Sequence, residues 1–322
     1  MATDVLQPPD SRLVVIVNPN STHAERVRRD VTGPMHDAGW RFPILTTMPP
    51  DGDNNLDLIR YFVKPGDTIA VAGGDGGANG VGEALAGLDA STRQQIKTIF
   101  LPCGNANDIA RSTIGTDILR NGRILHAIAH GQARPLGMIK IQDSEGEDKR
   151  GIGYGGFGGI TAEAAQRIGR HQHRKLKDNL RVPDIILDSL VVMDTMNNSE
   201  RTRHYLDGQA IETHDVVFNS IRSMSRVLRI DVDTWAPEMT LNILDKRWLV
   251  GDFALRNAMG MLPGHNGIRG ERIQRAVLTL LQSSLVQLDG EVFKMPEGDT
   301  TITYEPNMLQ VIGRDNSRRE AA

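Results

Sequence analysis

Residues 70–85 read A-V-A-G-G-D-G-G-A-N-G-V-G-E-A-L, with glycines 73, 74, 76 and 77 bracketing one carboxylate, Asp75. Each glycine inside a regular element costs roughly 0.5–1 kcal/mol relative to alanine, so the stretch needs a reason. Glycines let backbone N–H groups approach phosphate oxygens closely, and a helix beginning just beyond them adds a field that favours an anion. A carboxylate in that setting can accept or orient the proton of a hydroxyl. The chemistry these residues offer is a nucleotide phosphate cradle with Asp75 aimed at a hydroxyl. Two commoner phosphate patterns fail: G-x-G-x-x-G would need glycine at Asn79, and the chain holds no Gly-Lys pair for a P-loop. The plainer alternative is a tight strand-to-helix turn that needs positive φ.

A second stretch, Leu101–Arg111, reads L-P-C-G-N-A-N-D-I-A-R. Gly104 permits a tight turn there. Asn107 and Asp108 either cap a helix or hold nucleotide sugar or base in a loop facing Gly74. Cys103 has no histidine nearby in sequence and reads as a small buried filler. Asp289-Gly290-Glu291, between L-V-Q-L and V-F-K-M, reads on its own as a hairpin turn. Ile152–Ile160, I-G-Y-G-G-F-G-G-I, is either the floor of an acceptor pocket or a bulged strand edge. His171 and His173 have no third metal ligand at a convincing spacing.

The elements that must position these residues alternate in the first third. Leu13–Val17, Phe42–Thr46, Thr68–Ala72 and Thr98–Leu101 read as strands. Between them, helices are expected from Ala24, over Leu56–Val63, over Asn79–Leu88 and, after the last strand, over Ile118–Ala129. Alternation of this kind predicts a doubly wound parallel sheet, an α/β fold whose ligands sit beyond the carboxyl ends of the strands. The unusual loops beginning at Asn18, Gly73 and Pro102 all fall at such ends. After about residue 134 short strand-like runs dominate: Arg134–Ile141, Ala210–Phe218, Val227–Val232, Met239–Leu244, Leu285–Leu288 and Thr300–Tyr304. Helical stretches interrupt them over Thr161–Leu180 and Pro183–Met193, and Glu145–Arg150 reads as a charged turn. The expected division is an α/β nucleotide domain over 11–135, with a C-terminal return about 305–322, and a mainly β, sandwich-like substrate domain over 136–304.

A formal net charge of −3 gives no global attraction to nucleic acid or acidic lipid. The single cysteine rules out an intramolecular disulfide and favours a reducing, cytoplasmic setting. The polar start M-A-T-D-V-L-Q-P-P-D-S resembles no secretory signal, and no stretch is apolar enough to span a bilayer. Arg167, Arg170, His171, His173, Arg174, Lys175, Lys177 and Arg181 form a basic cluster, either a solvated helix face or a peripheral contact with anionic headgroups.

In their order, Asn18-Pro19-Asn20-Ser21, Gly73-Gly74-Asp75-Gly76, Pro102–Arg111 and Asp289-Gly290-Glu291 make the chain resemble the lipid kinase family of soluble bacterial diacylglycerol kinases, sphingosine kinases and ceramide kinases. NAD kinases share the Gly-Gly-Asp-Gly turn. The resemblance spans most of the chain. It implies an ATP- and magnesium-dependent kinase of a lipid hydroxyl, with its site in a cleft between the two domains. It implies that Asp75 acts on the acceptor proton, with Glu291 as second base or magnesium contact. Asn18, Asn20, Ser21, Gly73, Gly74, Gly76, Gly77, Asn79, Gly104, Asn105, Asn107, Asp108, Arg111 and Asp289 are the implied nucleotide contacts. The sequence departs from the family at Gly77 and Asn105, where threonine is usual, and at Gly80, where glutamate is usual. The basic residue expected after N-P-N-S is missing at 22 and 23, leaving Arg26 or Arg28 to substitute, and no acidic glycine-rich loop stands between Asn219 and Asp233. A kinase of a non-lipid alcohol and a catalytically silent nucleotide-binding regulator stay open as alternatives, as does a homodimer.

Overall fold

The computed structural model describes residues 11–17, 27–47, 53–104, 107–119, 123–158, 161–169, 190–192, 194–195, 198–221, 223–224, 228–229, 233–244 and 268–314. The chain forms two compact units, Met1–Gly137 with Pro306–Ala322, and Met138–Glu305. Among the described residues no helix is long and apolar enough to cross a membrane.

The first unit is built on β1 (Leu13–Val17), α1 (Gly33–Asp37), β2 (Ile44–Thr46), α2 (Asp53–Phe62), β3 (Thr68–Gly73), α3 (Asp75–Ala86), α4 (Ala90–Arg93), β4 (Lys97–Pro102), α5 (Asp108–Thr113) and α6 (Arg123–His130). The chain leaves along β5 (Ala133–Gln142) and returns in the last residues of the strand Gly298–Ile312. β1 pairs in parallel with β2 and β3, β3 with β4, and β4 with Gln310 and Val311 of the returning strand. This is the parallel α/β sheet that the alternation predicts. The runs L-V-V-I-V and T-I-A-V-A-G are buried almost throughout, as strands covered on both faces must be. Leu13, Val15, Ala70, Ala72, Ile99 and Leu101 pack with Trp40, Met35, Ile124 and Ile128 on one side of the sheet. The entry to β3 is pinned by Asp67, which accepts from Arg12 Nε at 3.0 Å, from Arg12 Nη2 at 2.6 Å and from the Lys64 N–H at 2.7 Å.

The second unit adds β6 (Asp148–Gly151), β7 (Tyr154–Gly158), α7 (Thr161–Gly169), β8 (Thr202–Leu206), β9 (Gln209–Thr213), β10 (Asp215–Asn219), the short pair β11 (Ser223–Met224) and β12 (Leu228–Arg229), β13 (Met239–Leu244), β14 (Ile268–Ile273), β15 (Arg275–Leu280), β16 (Ser284–Leu288), β17 (Glu291–Met295) and β18 (Gly298–Ile312). One antiparallel sheet runs β14-β13-β10-β7-β16-β17. Facing it are β5, β6, β8, β9, β15 and the first part of β18. Ile139, Ile141, Leu278, Leu280, Ile302 and Tyr304 from one side meet Phe157, Val216, Phe218, Leu241, Val286 and Leu288 from the other in a single core. That is a β-sandwich.

Three local expectations change. The helix expected from Asn79 starts at Asp75, so Gly76 and Gly77 lie in its first turn and not in a loop. The run Ala210–Phe218 is two strands, β9 and β10, which turn at His214 and pair in different sheets. The charged turn over Glu145–Arg150 tightens to a turn at Gly146 (φ +90°), after which β6 is already a strand. The helix expected from Ala24 is described from Val27 on, where Arg28–Thr32 winds as a π-helix and continues into α1 at Gly33; the run Val227–Val232 and the stretch Pro183–Met193 lie largely outside the described residues.

Candidate active site

β3 and β4 run side by side to Gly73 and Pro102, and the Cys103 N–H, one residue further, still donates to the Gly73 carbonyl at 3.1 Å. The two chemistry-bearing stretches therefore leave the sheet as neighbours. Gly74 is the N-cap of α3, with extended backbone (φ −92°, ψ −173°), and it brings no side chain to the helix end. The Gly74 carbonyl accepts the Ala78 N–H at 3.0 Å, which leaves the N–H groups of residues 75–77 without intrahelical acceptors. A 12-residue helix aims these donors and the positive end of its dipole past Asp75.

None of Gly73, Gly74, Gly76, Gly77 and Gly104 has positive φ, so the left-handed turn of the plainer reading is not what demands glycine here. Close approach demands it at Gly104: a Cβ there would lie 2.1 Å from Gly74 Cα and 2.7 Å from Gly74 N. Gly76 stands at an open surface, and a Cβ on it would meet nothing within 4 Å.

Asp75 is buried, and its Oδ1 accepts the Ile109 N–H at 2.9 Å. The carboxylate thus sits at the start of its own helix and caps the start of α5. Asn107 precedes α5 in the left-handed conformation (φ +57°, ψ +36°) and makes no side-chain cap to it. Its amide turns back: Oδ1 accepts the Gly104 N–H and Nδ2 donates to the Gly104 carbonyl, both at 2.6 Å. The capping role expected of Asn107 is taken by Asp75 from the other loop. Asp108, Asn79 and Cys103 are buried beside these loops, while Arg111 is exposed on α5. Asn18, Asn20, Ser21 and Asn105 lie outside the described residues.

In the second unit, Asp289 and Gly290 form the two-residue turn between β16 and β17, with φ of +48° and +89°. Both central residues are left-handed, as a type I′ hairpin requires, so the hairpin reading of Asp289-Gly290-Glu291 is the correct local geometry. Asp289 does more than turn the chain. Its buried carboxylate accepts three successive backbone N–H groups, from Ile152 at 2.5 Å, Gly153 at 2.9 Å and Tyr154 at 2.9 Å. Glu291 is exposed, with Lys149 Nζ 3.4 Å from its Oε1 and the same ammonium 4.8 Å above the Phe293 ring.

The glycines of β7 are not an open floor. A Cβ at Gly155 would meet Phe218 Cζ at 2.4 Å, and one at Gly156 would meet Thr161 Oγ1 at 2.2 Å. The bulky groups lying on that backbone are the unit's own. Arg167, the first residue of the basic cluster, pairs with Asp194 at 2.5 Å; the rest of the cluster, from Arg170 to Arg181, lies outside the described residues. Sequence reasoning missed the Ile109 and Ile152–Tyr154 amides, because a backbone donor carries no residue-type signal. It also missed Lys149, which meets Glu291 only through the sheet register.

A parallel α/β unit whose paired loops present an uncapped helix start and a carboxylate, with a β-sandwich unit, defines a class, and the comparisons with known proteins specify it. Residues 12–141 match the model of the diacylglycerol kinase catalytic domain. Over 117 residues the chain is 33% identical to a protein of Cronobacter sakazakii (strain ATCC BAA-894) named Probable lipid kinase YegS-like; the match takes in 35% of this chain and 37% of that relative's length. The solved structure of a diacylglycerol kinase from Bacillus anthracis str. Sterne superposes with a TM-score of 0.65 at 15% identity, over 94% of this chain and 97% of that one. Another structure from the same organism gives a TM-score of 0.70 at 16% identity, over 94% and 95% of the two chains. At such identities these structures establish the fold alone. The first unit is thus similar to the diacylglycerol kinase catalytic domain over residues 12–141, and the chain shares the two-domain fold of those structures.

Proposed function

We propose that this chain is an ATP-dependent kinase that transfers a phosphoryl group to the hydroxyl of a lipid. The observation that carries the reading is the uncapped glycine start of α3, set beyond β3 with Asp75 at its first position. In phosphoryl transfer most of the work is positioning and charge stabilisation. The N–H groups of Gly76 and Gly77 suit phosphate oxygens, and Gly77 supplies only its N–H where related kinases have a hydroxyl. Asp75 accepts or orients the acceptor proton, and its bond from Ile109 fixes the carboxylate's direction. Glu291 is the carboxylate of this reading that would hold magnesium. Magnesium usually needs only one or two carboxylates beside the phosphates; Glu291 offers one exposed carboxylate, which it shares with the Lys149 ammonium. When bound with the nucleotide, the ion would supply neutralisation of the phosphate charge. A lipid acceptor is met at a membrane surface, where the cations between Arg167 and Arg181 suit anionic headgroups.

ATP affinity of two alanine variants tests the cradle. Cβ atoms at Gly76 and Gly80 both meet open space. Gly80→Ala, inside α3, gains about 0.8–1 kcal/mol of stability and leaves ATP binding unchanged. Gly76→Ala weakens ATP about tenfold or more, the equivalent of 1.4 kcal/mol. Equal affinity in both variants and the wild type would remove the phosphate reading.

A further inference from the structure

We infer that Asn107 is a positioning residue that holds Asp75 in its working direction through Gly104 and α5, and that it does not itself bind nucleotide. The inference rests on the kinase reading for its consequence, and on geometry for its substance. The residue is buried, and both ends of its amide are bonded to the peptide groups of Gly104 at 2.6 Å. A single carboxamide thereby clasps Asn107 to both peptide groups of Gly104. Its backbone takes the left-handed region, which costs an ordinary residue about 1 kcal/mol and which asparagine tolerates better than most. A non-glycine residue held there marks a place where the surroundings fix the backbone.

What the clasp fixes is visible on either side of it. Upstream, Gly104 is seated on Gly74 so closely that not even a methyl group fits between them. Gly74 is the residue before Asp75 and the N-cap of its helix. Downstream, the left-handed turn at Asn107 sets the direction in which α5 begins, and so the direction of the Ile109 N–H that Asp75 Oδ1 accepts. Asn107 therefore touches both supports of the carboxylate, the backbone beneath it and the donor in front of it. Asp75 can be aimed only if these two supports keep their spacing.

Asn107→Gly keeps the freedom to adopt positive φ and removes the clasp; Asn107→Asp keeps an acceptor for the Gly104 N–H and loses the donor to its carbonyl. The primary readout is amide hydrogen exchange at Ile109 in the full chain without ligand, with ATP affinity and turnover beside it. Asn107→Gly is expected to speed Ile109 exchange about tenfold or more, to leave ATP affinity within about twofold, and to lower turnover about tenfold or more. Asn107→Asp should fall between it and the wild type, and answers if the glycine variant does not fold. In an Asp75→Asn background the Asn107→Gly loss of turnover should shrink, since two residues acting as one unit are not additive. Unchanged Ile109 exchange with ATP binding weakened tenfold would overturn the inference and make Asn107 a nucleotide ligand. If the wild type transfers no phosphate to any alcohol, the kinase reading fails, and the exchange result alone still decides what Asn107 holds.

Discussion

Two Asp-Gly pairs in the second unit show how little a dipeptide says without its surroundings. Asp207-Gly208 and Asp289-Gly290 both make two-residue hairpin turns, with φ of +48° and +79° in the first and +48° and +89° in the second. Asp207 lies at the surface, and its carboxylate accepts one N–H, from Val277 at 2.8 Å. Asp289 is buried and gathers three N–H groups of the Gly151–Tyr154 turn, against which neither Gly151 nor Gly153 has room for a side chain. Removing the acceptor leaves buried donors unpaired at about 1–3 kcal/mol each. Asp289→Ala is therefore expected to destabilise the chain by about 3 kcal/mol or more, read from urea unfolding, whereas Asp207→Ala should cost less than about 1 kcal/mol. Equal losses would mean that the gathered amides contribute nothing. Gly73–Gly77 and Asp75 were legible as candidates because glycine and carboxylate are residue types with few reasons to cluster. The clasp of Asn107 on Gly104 and the capping of Ile109 by Asp75 were not, since each depends on where two separate strands end.

Elements were legible where their residue types speak for themselves. The β-branched runs of β1, β3 and β4 are buried on both faces, and their composition alone predicts parallel strands. The start of α3 was not legible, because three glycines in six residues look like a loop by helix propensity. Contact with the neighbouring stretch, and the bond from Ala78 to Gly74, override that propensity. β9 and β10 merged in the sequence because no glycine or proline stands between them; the corner is made at His214, where Thr213 Oγ1 bonds the carbonyls of Asp215 and Leu244. A prediction belongs to β8, whose His204 is 2% exposed and held below the ordinary histidine value by burial. The unfolded chain then takes up the proton first as pH falls. Stability is complete above the unfolded value of about 6.5 and is lost as pH drops below it towards the folded value. Urea midpoints at pH 7.5 and 5.5 should show this fall, and His204→Leu should flatten it; an unchanged slope in the variant would assign the pH dependence elsewhere.

At the scale of the molecule, an α/β unit that receives its last strand residues from the C-terminus and a sandwich unit inserted between them account for the order of the motifs along the chain. A net charge of −3 offers no broad attraction to a polyanion, so specificity has to come from local geometry. The glycines of β7 are covered by Phe218 and Thr161, so an acceptor has no seat on that strand, and polar alcohols belong in any test of substrate. The most direct measurement is transfer of labelled phosphate from γ-labelled ATP with magnesium to diacylglycerol, ceramide, sphingosine and polar alcohols, with Asp75→Asn beside the wild type. Asparagine keeps an oxygen for the Ile109 N–H, so the variant should fold as the wild type does. The account predicts label on a lipid and a loss of about 10²–10⁴-fold in the variant, the range of a general base. Equal transfer by the two proteins, or bound ATP with no label on any acceptor, would contradict it.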